Sequence, residues 1–88
     1  MVYKTETRIP IRDTNYCTLW QQVTTSMGDG AVAAIELISV KELNRDEVRF
    51  AYYKENPDGT LKFIPRPLDL PAAELHILLE KARNEGII

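Results

Sequence analysis

The sequence predicts an α+β domain: a short antiparallel β-sheet of about four strands followed by one C-terminal amphipathic helix. Three observations carry this. Strand-like segments over residues 31–67 are separated by short turn clusters rather than by helical stretches. The run Asn56-Pro57-Asp58-Gly59 has the chemistry of a tight hairpin turn, and the residues after Pro71 repeat with helical period. Strands grouped first and a helix last is the α+β pattern.

Taken in order, Val2 to Ile11 is rich in Thr, Tyr and Ile and alternates loosely, which predicts a strand that ends near, or forms an edge at, Pro10. Asp13-Thr14-Asn15 is a turn or cap cluster. Tyr16 to Met27 reads two ways. Its β-branched and aromatic residues favour a strand, while Leu19, Trp20, Val23 and Met27 also fall at helical spacing behind Thr14 or Asn15 as a cap; the balance tips to strand. Gly28-Asp29-Gly30 is a turn, too short for a phosphate-binding glycine loop.

Ala31 to Leu43 is the longest apolar strand segment, and Asn44-Arg45-Asp46 is expected to turn the chain. Glu47 to Glu55 and Thr60 to Arg66 then form a hairpin about residues 56–59. Proline presets φ at the second turn position and Gly59 takes the left-handed one. Pro65, Pro67 and Pro71 stop the sheet. From Ala72 to Glu85, Leu75, Leu78, Leu79 and Ala82 fall at i, i+3, i+4 and i+7. Asp69 is expected to cap this helix, Pro71 to occupy its first turn, and Gly86 to end it. Ile87 and Ile88 form an apolar tail that packs on the helix or on a partner.

The 88 residues make a single domain over 1–88, with residues 1–30 as an N-terminal strand region, 31–67 as sheet and 71–85 as helix. A chain this short buries only about 60–65% of its unfolded surface, so pairing with a second copy is one way to complete its core. The composition is that of a globular protein, 44% hydrophobic and 27% charged. With 11 basic and 13 acidic residues the net charge is −2, which lacks the basic excess usual in nucleic-acid binders, although clustering matters more than the total. There is no signal-peptide pattern and no run near the ~20 apolar residues that span a bilayer, so a cytoplasmic protein without membrane partner is expected.

No residues argue for an enzyme, a metal or a cofactor. Cys17 is the one cysteine and reads as a small buried hydrophobe. His76, the one histidine, falls beside the apolar stripe of the helix and reads as a solvated boundary residue. Adjacent carboxylates such as Asp46-Glu47 point apart and cannot act as a pair.

The hairpin is more informative. A three-residue loop Pro57-Asp58-Gly59 pairs Asn56 with Thr60, Glu55 with Leu61, Lys54 with Lys62, Tyr53 with Phe63, Tyr52 with Ile64 and Phe50 with Arg66. Alternation then puts Val48, Phe50, Tyr52, Lys54, Lys62, Ile64 and Arg66 on one face and Arg49, Ala51, Tyr53, Glu55, Leu61, Phe63 and Pro65 on the other. Both faces are mixed, unlike a sheet with one wet and one dry side. Rings interleaved with Lys and Arg are how single strands are held, by stacking bases and following phosphates. The competing reading is that Lys54 and Lys62 are solvated residues at a hairpin tip whose stems cover the rings.

From about Val40 to Leu78 the chain resembles the transcriptional positive-cofactor family of single-stranded-DNA-binding coactivators and its small bacterial relatives. The resemblance rests on Val48-Arg49-Phe50-Ala51-Tyr52-Tyr53-Lys54, the turn at 56–59, Leu61-Lys62, Arg66, Leu68-Asp69-Leu70, a proline, and a helix with Glu74 and Leu78. It covers under half of the chain. It implies a homodimer whose curved sheets cradle single-stranded DNA, helices that help dimerise, and a role in transcription or replication. On it Lys41, Lys62 and Arg66 match basic positions, and Tyr52 or Tyr53 supplies a stacking ring. The chain departs from the family at Ala51, Lys54, Pro65 and Pro67. With the hairpin reading, the candidate nucleic-acid-binding residues are Lys41, Tyr52, Lys54, Lys62 and Arg66, with single-stranded DNA or RNA as partner. Binding requires Lys41, Lys54, Lys62 and Arg66 on one concave surface with the carboxylates turned away. The alternative is a small protein-interaction or regulatory domain, also homodimeric, that binds no nucleic acid; it requires the charges to be intermixed beside a contiguous apolar patch.

Overall fold

A computed structural model describes residues 9–88. Five strands form one antiparallel meander in sequence order: β1 Arg12–Asp13, β2 Cys17–Gly28, β3 Ala31–Val40, β4 Arg45–Glu55 and β5 Leu61–Ile64. The helix α1, Ala72–Asn84, closes the chain. The α+β class and the order of elements are as the sequence predicts, with one strand more than expected. Most of the strand expected over Val2 to Ile11 lies outside the described residues. Its described end, residues 9–11, is not strand, and the short β1 begins only at Arg12.

The ambiguous segment is strand β2, because both of its faces find cover. Val23 pairs with Ile35 on one face, and Leu19 pairs with Ile38 on the other. A bulge between Leu19 and Gln21 switches the alternation there, which is why the apolar spacing also fitted a helix. Asp29 and Gly30, at φ 54° and 79°, make the two-residue turn into β3. Both positive φ values are those of a type I′ turn, whose twist suits a hairpin.

The turn after β3 falls earlier than expected. It occupies Lys41–Asn44 rather than 44–46, with the Asn44 N–H on the Val40 carbonyl at 2.8 Å and Asn44 itself at φ 54°. Asparagine tolerates that left-handed position, so the chain reverses at Asn44 and Arg45-Asp46 already belong to β4. The β4–β5 register is the expected one from Glu55↔Leu61 to Tyr52↔Ile64. The Phe50–Arg66 pair does not form. The Arg66 N–H turns back onto the Ile64 carbonyl at 2.9 Å, between the two prolines, and the ladder ends.

The helix packs over β2 and β3, where Leu78, Ala82 and Ile87 meet Val23, Ala33 and Ile35. Its N-cap is Pro71, with no side-chain cap bond, so Asp69 does not cap it; the extended Pro71 backbone starts the helix without one. Its end is a Schellman motif: Gly86 N–H to Arg83 O at 3.1 Å and Ile87 N–H to Ala82 O at 2.9 Å, with Gly86 at φ 75°. This folds Ile87 into the core, while Ile88 stays half exposed.

On the opposite face the sheet curls over its own residues. In a flat sheet β1 and β4 would lie about 14 Å apart, three strand spacings. In the curled sheet the Arg12 guanidinium sits 6.0 Å from the Tyr53 ring. Curling buries Leu19, Val32, Ala34, Ile38, Val40, Ala51 and Tyr53 without a helix on that side. Among the described residues no helix is long and apolar enough to cross a membrane.

Candidate functional site

The two sheet faces explain why both looked mixed in sequence. The concave face holds one fully buried carboxylate, Glu36, at 0% exposure in the middle of the apolar strand β3. Its Oε1 accepts from Arg49 Nε at 2.8 Å and pairs with Nη2 at 2.7 Å; its Oε2 accepts from Gln22 Nε2 at 2.7 Å and from the Tyr53 hydroxyl at 2.5 Å. The register builds this set. Gln22 and Arg49 are the direct cross-strand partners of Glu36, and the small Ala34–Ala51 pair leaves room for the Tyr53 ring to lie back towards it. Burial and the acceptance of its proton by Glu36 push the Tyr53 phenol up to about 12. Burial pulls the Arg49 guanidinium down, but the hydrogen bonds and charge of Glu36 outweigh it and hold its pKa above the ordinary value. Such a network fixes the strand register, since an unpaired buried charge is costly.

Beside it is a cleft of about 220 Å³ lined by Arg12, Tyr16, Cys17, Leu19, Arg49 and Phe63, among others. The Arg49 guanidinium covers the Phe63 ring at 5.4 Å. Cys17 is buried, as expected, with Arg49 Nη1 at 3.7 Å from its sulfur. None of Glu36, Arg49 or the cleft was singled out from sequence. The available signal was one carboxylate inside Ala-Val-Ala-Ala-Ile-Glu-Leu-Ile, which needs a buried cation opposite it.

The other face, beside the helix, and not the concave one expected, carries four of the five predicted site residues. Alternation from Tyr53 and Arg49 on the concave side turns Tyr52 and Lys54 away from it. Tyr52 and Ile64 are cross-strand partners, as are Lys54 and Lys62, so the tyrosine and both lysines share one face of the hairpin. Arg66 joins them through its guanidinium, 4.6 Å from the centre of the Tyr52 ring. Lys54 Nζ reaches across to the Asp29 carbonyl at 2.9 Å. Among the described residues none of these three cations has a carboxylate at ion-pair distance, whereas Lys41, Arg45 and Arg49 each have one. Glu47 and Glu55 point to the opposite face by alternation, and Asp46 sits at the far end of β4 with its carboxylate on the Ser39 hydroxyl at 2.6 Å.

Lys41 does not belong to this cluster. It opens the turn at the other end of β3, and its Nζ lies 3.0 Å from Asp13 Oδ1. Thr18 and Lys41 together hold the Asp13 carboxyl below its usual range. A residue that the sequence places on this face but not in the site is Phe50, 50% exposed and next but one to Tyr52. Tyr53, the other ring considered for stacking, is buried on the concave side and engaged by Glu36. Pro57-Asp58-Gly59 forms the expected turn, with Asn56 N–H on Thr60 O at 2.8 Å and Gly59 at φ 89°. His76 is exposed on the helix. Among the described residues no three His, Cys, Asp or Glu side chains come together as metal ligands would.

Comparisons with protein-family models, with curated proteins and with solved structures return no match for this chain.

Proposed function

We propose that the domain binds single-stranded nucleic acid on the β4–β5 face beside the helix. The observation that supports this best is the gathering of Lys54, Lys62 and Arg66 around exposed aromatic surface with no carboxylate, among the described residues, to neutralise them. In a chain of net negative charge, that face is a local excess of positive charge. Like charges in register, Lys54 against Lys62, cost a few tenths of a kcal/mol unless an anion lies between them. A phosphate is such an anion. Phe50 offers an open ring, and the Arg66–Tyr52 stack offers a guanidinium plane on which a base can lie. The resemblance to single-stranded-DNA-binding coactivators marks Lys62, Arg66 and Tyr52, but the cradle it implies is the concave side of the sheet, and these residues lie on the other side.

A duplex fits this face less well, because reading its grooves takes an inserted helix or ribbon, while unstacked bases need only rings and cations. The test is a titration of a labelled single-stranded oligonucleotide, followed by fluorescence anisotropy at several salt concentrations, with the matching duplex alongside. Three phosphate contacts on a single strand give a slope of roughly −2 in log K against log salt, about −0.7 for each contact. Preference for the single strand with that slope supports the reading. Absence of binding at low salt refutes it.

A further inference from the structure

We propose that the open edge of β4 is a self-complementary interface, at which a second copy of this chain pairs its own β4 antiparallel about a two-fold axis at Val48. The inference stands apart from nucleic-acid binding and uses different residues. β4 pairs with β3 from Arg45 to Lys54, but on its other side β5 covers only Tyr52–Glu55. Residues 45–51 are therefore a sheet edge with no strand beside it among the described residues.

Two hydrogen bonds fix which backbone groups face outward. Glu55 N–H donates to the Gly30 carbonyl at 2.7 Å, on the β3 side, and Asn56 N–H donates to Thr60 at 2.8 Å, on the β5 side. The β3–β4 ladder runs without a bulge, so the direction alternates along it. Odd-numbered residues bond to β3. Asp46, Val48 and Phe50 turn their N–H and C=O groups to the open edge.

Edges of this kind are usually blunted by charged side chains, a proline, a bulge or a covering element. Of these the stretch carries only charges, Arg45, Asp46, Glu47 and Arg49, two of each sign. Residues 45–51 contain no proline and no bulge. They are instead arranged to match themselves. Antiparallel pairing across a two-fold keeps each face on its own side, so with Val48 on the axis, Val48 opposes the second copy's Val48 and Asp46 opposes its Phe50. The three outward-facing residues of each copy are then all used, as mutually bonded pairs. Glu47 falls opposite the second copy's Arg49 on the concave face, so unlike charges meet there. This is in addition to the Arg45 that Glu47 holds at 2.7 Å and the Glu36 that holds Arg49 at 2.7 Å within each copy. On the other face Val48, 42% exposed, meets its counterpart and becomes covered, while Phe50, 50% exposed, lies beside the second copy's Asp46.

Other axis positions fail. An axis at Asp46 or Glu47 sets a carboxylate on its own copy, and an axis at Arg49 or Phe50 runs the second strand into Tyr52, which β5 already occupies. The arrangement that uses the whole edge is also the one whose charges agree. It differs from dimerisation through the helices, which the family resemblance implies.

The test is sedimentation equilibrium of the full chain, with amide exchange on the same samples. The wild type is expected at twice the mass of one chain at micromolar concentration. Val48→Lys places two ammonium groups on the axis, and Glu47→Lys makes both Glu47–Arg49 pairs repulsive. Each is expected to weaken the dimer by on the order of 100-fold, with the far-ultraviolet circular dichroism of the fold retained. The amides of Asp46, Val48 and Phe50 should exchange slowly in the dimer and fast on dilution, while those of Glu47 and Arg49, bonded to β3, stay slow throughout. If Val48→Lys fails to fold, Glu47→Lys decides, since that side chain is half-buried and within its own chain loses only the exposed pair with Arg45. A chain that stays monomeric, a dimer indifferent to the substitutions, or a dimer whose Asp46, Val48 and Phe50 amides exchange freely would overturn the proposal.

Discussion

Replacing Glu36 by Gln keeps the size of the side chain and removes its charge. In the native fold that carboxylate accepts from three residues, and the Arg49 guanidinium, with its side chain 26% exposed, depends on it for neutralisation. Removing one partner of a buried pair typically costs about 3–5 kcal/mol. Solvent at Arg49 relieves part of this, so about 2–4 kcal/mol is expected. For 88 residues the whole stability should be about 4–13 kcal/mol, which makes this one substitution a large fraction of it. Tyr53→Phe removes a single donor and leaves the ion pair, so it should cost less, about 1–2 kcal/mol. The double variant should cost less than the sum, because both act on Oε2 of the same group. Urea unfolding followed by circular dichroism and Trp20 fluorescence measures all three. A Glu36→Gln cost below about 0.5 kcal/mol, with an unchanged m-value, would refute the view that this network holds the sheet register.

Stability should also fall in strong alkali. The Tyr53 pKa is raised from 10.0 to about 12, so the folded state keeps a proton that the unfolded state releases. The stabilisation is complete below about pH 10 and is lost as the pH rises from 10 through 12, by up to about 2–3 kcal/mol. Tyr53→Phe should flatten that part of the unfolding profile; an unchanged profile would mean that some other group titrates there. On the helix-bearing face, Tyr52→Ala should weaken single-strand binding by about 1–3 kcal/mol, read by anisotropy, while the salt slope stays as it was, since a ring releases no counterions.

Much of this fold is legible in the sequence because its turns are chemically marked. Asn56-Pro57-Asp58-Gly59 fixed the hairpin register to the residue, and Gly86 marked the helix end together with the burial of Ile87. The turn after β3 was misplaced because Asn44 is followed by Arg45-Asp46, whose polarity suits a loop as well as an open strand edge. The bulge at Trp20 hid the strand period of β2 for a related reason, since one extra residue shifts the alternation. The Asp69 cap was a local inference, and an extended Pro71 begins the helix without it.

The candidate site was legible where it depended on register and opaque where it depended on curvature. Tyr52, Lys54 and Lys62 share a face because alternation from a known turn requires it. Lys41 could not be placed by that means, as its position depends on where the β3–β4 turn falls, and it pairs with Asp13 instead. The Glu36 network and the cleft under Arg12 arise from the curl of the sheet, which brings strands together that are not neighbours.

The most direct measurement is the salt dependence of single-strand binding by a Lys54→Ala, Lys62→Ala double variant beside the wild type. If these lysines contact phosphates, binding weakens and the slope of log K against log salt becomes shallower by about 1.4, two contacts at roughly 0.7 each. Equal slopes and equal affinities in a variant that is still folded would place any nucleic acid elsewhere on the molecule and contradict the proposed site.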